Sequence, residues 1–436
     1  MYDLSPQLMS LLRCVPLRRG WALLLLIAAL PVLNLAVFTW LTADTMVSRD
    51  QWHFIPMLHD YFGGDFHLFS LWVSHSQHRT PGYKLLFLLN AVFFKLDMRL
   101  EVMLGFATLV AAVLLLLKRF RDGLPVTAPG AVVALGVVTL TLMGFNLNQW
   151  YCLTYPLTSL AGYGGILCFV WLWLMLDTQL REGTGAWKTV GLCLALAFSL
   201  MSFAAGMGPA FIVTLLAVPM TVMLLERHAD AGSLRLLVAL AVTAAICEWL
   251  YWYTPGVVRE SPHSRPFLQV LLADPLSVLE FLVLSFAGSV IPADAMDKHY
   301  HALGHELNLL IGVVVIGIYC LSAGLYLRLK MWKTSYLPGF LMAFTALFIA
   351  STLIVRLPST GLGTSEAPRY VLYSQIGFLG CLWVLFQWFA GRSRQGWWTR
   401  PIGPQGSALV MAALYLVGLV SLWGFYPYVV HSNQRG

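Results

Sequence analysis

Apolar residues fall along this chain in long unbroken runs, without the spacing of a surface helix or the alternation of a half-buried strand. A membrane-crossing helix needs roughly 20 mostly apolar residues, because about 1.5 Å per residue must cover a hydrocarbon core of about 30 Å. Eleven stretches meet that requirement, at 20–42, 99–117, 128–145, 157–176, 187–204, 208–225, 234–252, 306–327, 336–354, 371–389 and 407–425. The pattern predicts an all-α, polytopic membrane helix bundle of about 11 transmembrane helices, a single transmembrane domain over 1–436. The first stretch is too long, and too poor in small residues at its end, for a cleaved signal peptide, so a retained helix is expected.

Polar positions then orient the bundle. With the N-terminus inside, the short inner segments carry Arg13, Arg18 and Arg19, then Lys118, Arg119 and Arg121, then Arg181 and Lys188, then Arg227 and Arg235. Arg328, Lys330 and Lys333 follow, and finally Arg392, Arg394 and Arg400. This is the excess of cytoplasmic Lys and Arg expected of a multi-pass protein. Two more apolar runs, 83–96 and 276–291, are long enough to suggest spans. Counting either alone as a span would move Lys118, Arg119 and Arg121, or Arg328, Lys330 and Lys333, to the outer side. Both are therefore expected to be re-entrant or interfacial helices on the outer face. Outer segments 43–98 and 253–305 then form the active-site face, and every histidine but His228 lies outside.

Composition agrees with the pattern: 59% of residues are hydrophobic and 11% charged, against about 45–50% and 25% in soluble domains. A soluble enzyme, a disordered chain and a nucleic-acid-binding domain are excluded. The formal charge of +7 is mostly a topology signal and implies no nucleic-acid partner. The seven cysteines form no CxxC pair and read as small buried apolar side chains. No internal repeat is visible, which weighs against a transporter built from duplicated halves.

Candidate chemistry sits in the outer loops. Asp50 follows the first span and opens an amphipathic stretch containing Trp52, Phe54, Leu58 and Phe62. It is either a helix cap, a role open to Ser48 as well, or a general base held at the membrane surface. Gly63 and Gly64 are the expected helix stop. His75, His78 and Arg79, in the string His-Ser-Gln-His-Arg-Thr-Pro-Gly, suit a phosphate or sugar hydroxyls, or else a lipid headgroup. In the second large loop Arg259, His263 and Arg265 could meet a phosphate, while Glu280, inside an apolar run, must be paired, wet or functional. His301 and His305 stand four apart, but Leu309 occupies the place of the second His of HExxH, so no metal is expected. The turn from Pro358 to Pro368 is Gly-rich and leads to Arg369 at a helix start, suited to gripping a phosphate, or to snorkelling or pairing with Glu366. Glu366 and Tyr370 beside it are candidates to touch substrate.

A first span, an outer loop with an early Asp, a His/Arg-Thr-Pro-Gly-Tyr turn, an apolar helix and a second span ending in basic residues together resemble the GT-C superfamily. These are integral membrane glycosyltransferases that use lipid-phosphate-linked sugars. The strings Phe145-Asn146-Leu-Asn-Gln149-Trp150, Ser202-Phe203-Ala-Ala-Gly206 and Arg369-Tyr370 resemble bacterial polytopic proteins of the same plan. The resemblance implies Asp50 as catalytic base; many members carry a second acidic residue beside it, where this chain has Gln51. It also implies a polyprenyl-phosphate-linked sugar as donor and a glycan, lipid or protein as acceptor. Arg369, Arg265, His78 and Arg79 would hold the donor phosphate, and Gln149, Trp150, His75, Glu366 and Tyr370 would contact substrate. Without an Asp-x-Asp pair, no cofactor or metal is expected. The expected location is a bacterial inner membrane with the active face periplasmic. A transporter or flippase of a lipid-linked saccharide, and a polysaccharide polymerase or ligase, are the alternatives. The former would need polar residues through the bundle centre, and the second to sixth spans are nearly free of charge.

Overall fold

The computed structural model describes residues 18–74, 79–126, 128, 130–183, 185–202, 208–227, 230–253, 266–291, 302–365 and 367–392. Among these the chain is mostly helical and contains no strand. In chain order the helices are α1 (Arg18–Thr42), α2 (Ile55–Gly63), α3 (Pro81–Phe94), α4 (Met98–Asp122), α5 (Gly130–Gly144) and α6 (Trp150–Thr154). Next come α7 (Pro156–Glu182), α8 (Ala186–Ser202), α9 (Gly208–Glu226) and α10 (Ala231–Tyr253). The last are α11 (Phe267–Ala273), α12 (Pro275–Ala287), α13 (Ala302–Arg328), α14 (Leu337–Thr360) and α15 (Pro368–Arg392).

Among the described residues eight helical stretches are long and apolar enough to cross a membrane. They are α4, the run Val132–Thr154 through α5 and α6, α7, α9, α10, α13, α14 and α15. The chain is a multi-pass membrane protein. Of the other three expected spans, α1 is 25 residues long but its side chains are described only from Ala28. Helix α8 is described over 17 residues, and positions 203–207 that follow it lie outside the described residues. The stretch 407–425 lies outside the described residues.

Hydrogen bonds between loops sort the helix ends into two groups. At one end the Asp44 amide donates to the Thr154 carbonyl (3.0 Å), just beyond α1 and at the close of α6. There too Gln51 reaches the sulfur of Met98 at the start of α4, and Arg79 reaches the last turn of α10 at Tyr251. At the other end Arg119 near the close of α4 meets Asp177 near the close of α7, and the Asp177 carboxylate caps the start of α14 by accepting from the Tyr336 amide (2.6 Å). Lys330, just past α13, pairs with Glu226 at the end of α9 (3.2 Å). We call these the loop end and the basic end.

This sorting decides the two ambiguous apolar runs. Helix α1 finishes and α4 begins at the loop end, so α3 between them does not cross. Helix α10 finishes at the loop end and α13 finishes at the basic end, so α11 and α12 start and return on one side. The 107° bend between them fits that re-entrant path. Gly312 of α13 lets α12 approach: a Cβ there would lie 2.8 Å from the Val283 carbonyl carbon, and small residues are what allow helix backbones to close up in a membrane.

The core runs down the middle of α7, α9 and α14. Phe169 stacks on Phe211 at 3.8 Å between centroids, and Trp173 on Phe340 at 6.1 Å. All four side chains are fully buried.

Candidate functional site at the loop end

Asp50 stands on a short 3-10 helix, Arg49–Phe54, that begins as soon as the chain leaves α1. Ser48 opens it: its amide donates to Gln51 Oε1 (3.2 Å), the Gln51 amide donates back to its carbonyl (3.1 Å), and its hydroxyl donates to Asp44 (2.6 Å). So Ser48, one of the two expected caps, holds that place, and Asp50 is the second residue of the turn. Arg49 adopts a left-handed φ of 48°, a conformation that non-glycine residues keep only when their surroundings hold it. Here the guanidinium lies 4.9 Å from the ring centroid of Tyr151 and 5.2 Å from that of Tyr155, a cation–π clamp. The Tyr155 hydroxyl in turn accepts from the Asp50 amide (3.1 Å). Burial, and then the Asp50 carboxylate, push the Tyr155 hydroxyl pKa up.

Beneath Asp50 the backbone is anchored by a buried polar chain. The Gln51 amide nitrogen donates to the Tyr83 hydroxyl (2.6 Å), and Tyr83 donates to Glu101 (2.8 Å). The other Glu101 oxygen accepts from Asn90 (2.8 Å). All four side chains are buried. The Asp50 side chain itself is exposed and makes no hydrogen bond or ion pair among the described residues. Most other carboxylates at this end are occupied. Asp44 accepts from Ser48, Asp97 caps α4 through Arg99, Asp274 caps α12 through Ser277, and Glu280 pairs with His305 at 2.9 Å. The Glu280 pair is one of the roles expected for a carboxylate in an apolar run.

The other sequence candidates separate. Arg369 is exposed, with its guanidinium carbon 5.1 Å from the Tyr370 ring centroid. No ion pair joins Arg369 to Asp50 among the described residues. Arg79 is buried, and its Nε and Nη1 donate to the carbonyls of Tyr251 (2.9 Å) and Trp72 (2.6 Å). Burial lowers its pKa. It straps the first loop to α10 through carbonyls at the ends of the short helix Phe69–Trp72 and of α10, ends that favour a cation. Lys84 does likewise: its ammonium donates to the carbonyls of Ser70 (3.2 Å) and Val73 (2.5 Å), and burial, then Arg79, lower its pKa to about 8.

Gln149 and Trp150 also turn inward. The Gln149 amide donates to Gln375 (2.5 Å) and to the Gly144 carbonyl (3.2 Å), and the Trp150 ring nitrogen is buried without an acceptor among the described residues. Gln375 donates to Asn146 (2.9 Å), and Asn148 donates to the Val290 carbonyl (2.7 Å). These amides form a knot joining α5, α15 and the end of the re-entrant pair. Their placement therefore fits bundle packing, not surface contact with a substrate. His75, His78, Arg265 and Glu366 lie outside the described residues, as do His301 and the string around Phe203.

Sequence reasoning missed Arg49, Gln51, Tyr83, Glu101, Tyr155 and Gln375. Gln375 and Glu101 each carry a signal of their own, an uncompensated polar side chain in or at the edge of a span. Arg49 carries none, since its role depends on a backbone conformation and two rings 102 and 106 residues on. In comparisons with known proteins the chain matches no family model, no curated protein and no solved structure.

Proposed function

We propose that this protein is a membrane glycosyltransferase that moves a sugar, with inversion, from a polyprenyl-phosphate-linked donor to an extracytoplasmic glycan, lipid or protein. The observation that carries the reading is Asp50: an unengaged, exposed carboxylate on a backbone fixed by Tyr155, Gln51 and the Arg49 clamp. A general base must be free to take a proton yet held in one place. Asp65 is also exposed and free, but follows the α2 stop at Gly64 without such anchoring.

In the proposed reaction the acceptor hydroxyl oxygen attacks the anomeric carbon as its proton passes to Asp50. The bond from that carbon to the phosphate oxygen breaks, and the phosphate leaves with the electron pair. Arg369 offsets its charge, with Arg265 and His78 as further candidates. The gathering of Arg119, Arg181, Lys330 and Lys333 at the basic end supports a cytoplasmic basic end and a periplasmic loop end. A bacterial inner membrane is the location this reading implies.

The test is Asp50→Asn in the purified full chain, reconstituted in liposomes with radiolabelled polyprenyl-phosphate sugars and a membrane glycan extract. Loss of a general base lowers rates about 10²–10⁴-fold, so transfer should fall by that factor while donor lipid binding is kept. Wild-type transfer by the variant would sink the assignment. Movement of intact lipid-linked sugar across the bilayer without transfer would favour a flippase.

A further inference from the structure

Among the described residues two carboxylates are buried, Asp177 and Glu101. Asp177 lies between two arginines at the basic end. Glu101, in the first turn of α4 at the loop end, pairs with no Lys, Arg or His among the described residues. Its two oxygens accept instead from the Tyr83 hydroxyl (2.8 Å) and the Asn90 amide (2.8 Å). A carboxylate kept inside a membrane protein without a cation is costly, and such residues mark function.

The bonds that lead away from Glu101 have one possible direction. At their far end the Ser48 backbone N–H can only donate, and it gives its hydrogen to Gln51 Oε1 (3.2 Å). That turns the Gln51 nitrogen toward Tyr83 (2.6 Å), whose oxygen accepts and whose single proton must pass on. The Glu101 carboxylate is the terminus that can only accept. Glu101 therefore sets the amide orientation of Gln51, and with it the cap on the turn that carries Asp50. A second carboxylate at position 51 would leave two acceptors competing for the one Tyr83 proton, which accounts for the amide there.

Backbone strain gathers at the same place. Arg49, Lys95 and Leu96 have left-handed φ of 48°, 56° and 61°, three of the five such non-glycine residues among those described. Arg49 adjoins one end of the polar chain. Lys95 and Leu96 form the α3–α4 junction at the other. There the Leu96 amide donates to the Asn90 carbonyl (3.3 Å), and the Asn90 side chain donates to the Asp97 carbonyl (3.1 Å) as well as to Glu101. Strained residues persist only where their surroundings over-determine them, and they cluster at working sites. We propose that Glu101 is the positioning residue of Asp50, holding its turn through Tyr83 and Gln51 without touching substrate. The inference rests on the glycosyltransferase reading for what Asp50 does, but the positioning itself does not.

The experiment is hydrogen–deuterium exchange on the full chain in nanodiscs, following residues 44–55, with sugar transfer measured on the same samples. Asn90, held by the Asp97 carbonyl, keeps its donor toward position 101, so Glu101→Gln turns an NH₂ toward Tyr83 and leaves the Tyr83 proton without an acceptor. Gln51→Glu sets two carboxylates against that proton. Each variant leaves a buried polar group unpaired, so exchange of 44–55 should speed about tenfold and kcat should fall about tenfold at unchanged donor KM. The double variant Gln51→Glu/Glu101→Gln reverses both Tyr83 bonds and satisfies every group, so exchange and kcat should return to within about twofold of wild type. Tyr83→Phe, which keeps the ring and removes the link, should match the single variants. Unchanged exchange in the single variants would overturn the proposal, as would a double variant no better than either. So would equally faster exchange in α14, the mark of general destabilisation, or transfer that ignores faster exchange at 44–55. Exchange that follows this pattern in a chain whose wild type transfers no sugar would sink the glycosyltransferase reading alone.

Discussion

Asp177 offers the sharpest test of how the basic end is held. Its carboxylate is fully buried, with one oxygen 2.7 Å from Arg119 and 3.4 Å from Arg181, while the other accepts the Tyr336 amide at 2.6 Å. Asp177→Asn keeps the shape and one acceptor but turns an NH₂ donor toward a guanidinium. Removing one partner of a buried ion pair costs about 3–5 kcal/mol. Arg119 and Arg181 keep 17% and 26% of their side chains exposed and can partly rehydrate, which sets the expectation at the low end, about 3 kcal/mol. Reversible unfolding in mixed detergent micelles measures it, with exposed Asp65→Asn as control. A double-mutant cycle with Arg119→Gln should give a coupling of at least about 1 kcal/mol, since contacting residues couple by about 0.5–3 kcal/mol. Loss below about 0.5 kcal/mol for Asp177→Asn, the range of surface substitutions, would refute the reasoning, and so would an additive cycle.

Two more outcomes are expected. Gly312→Ala drives a Cβ against the Val283 backbone, so α12 should lift from α13 and a cysteine at Ser277 should label faster; an unchanged labelling rate would contradict the close approach. Lys84 titrates near 8 when folded against an ordinary 10.5, so between those values the unfolded chain binds more protons and stability should rise with pH. One proton sets a ceiling of about 1.4 kcal/mol per pH unit, and Lys84→Met should flatten the rise over pH 8–10.5.

The bundle was legible in the sequence because apolar length is a local property. Lys118, Arg119 and Arg121 also told α3 from a span, since basic clusters report the side of each short loop. They did not tell that Arg119 would be spent on Asp177, 58 residues away. Asp177 looks like a polar residue one turn before a helix end, and nothing nearby reveals its burial. At the loop end, Asp50 stood out by type and position. The features that fix it in place did not, because Tyr155 reaches Asp50, and Tyr83 its neighbour Gln51, from segments 105 and 32 residues distant. Arg79 and Gln149 were chosen for their chemistry, and their carbonyl and amide partners lie 172 and 226 residues away.

The amide knot has a consequence for biogenesis. Asn146 and Gln149 enter the bilayer with the early helices, yet Gln375, which bonds to both, is synthesised more than 220 residues later. At about 5–20 residues per second, that interval lasts on the order of tens of seconds. Throughout it, Asn146 and Gln149 have only their local bonds to Met143, Asn148 and Gly144, and their remaining hydrogen-bonding capacity must be met by water, the insertion channel or a chaperone, because hydrocarbon supplies no partner. Release of the early helices into lipid is thus tied to the arrival of α15, and a nascent chain arrested before residue 375 should remain bound to the insertion machinery.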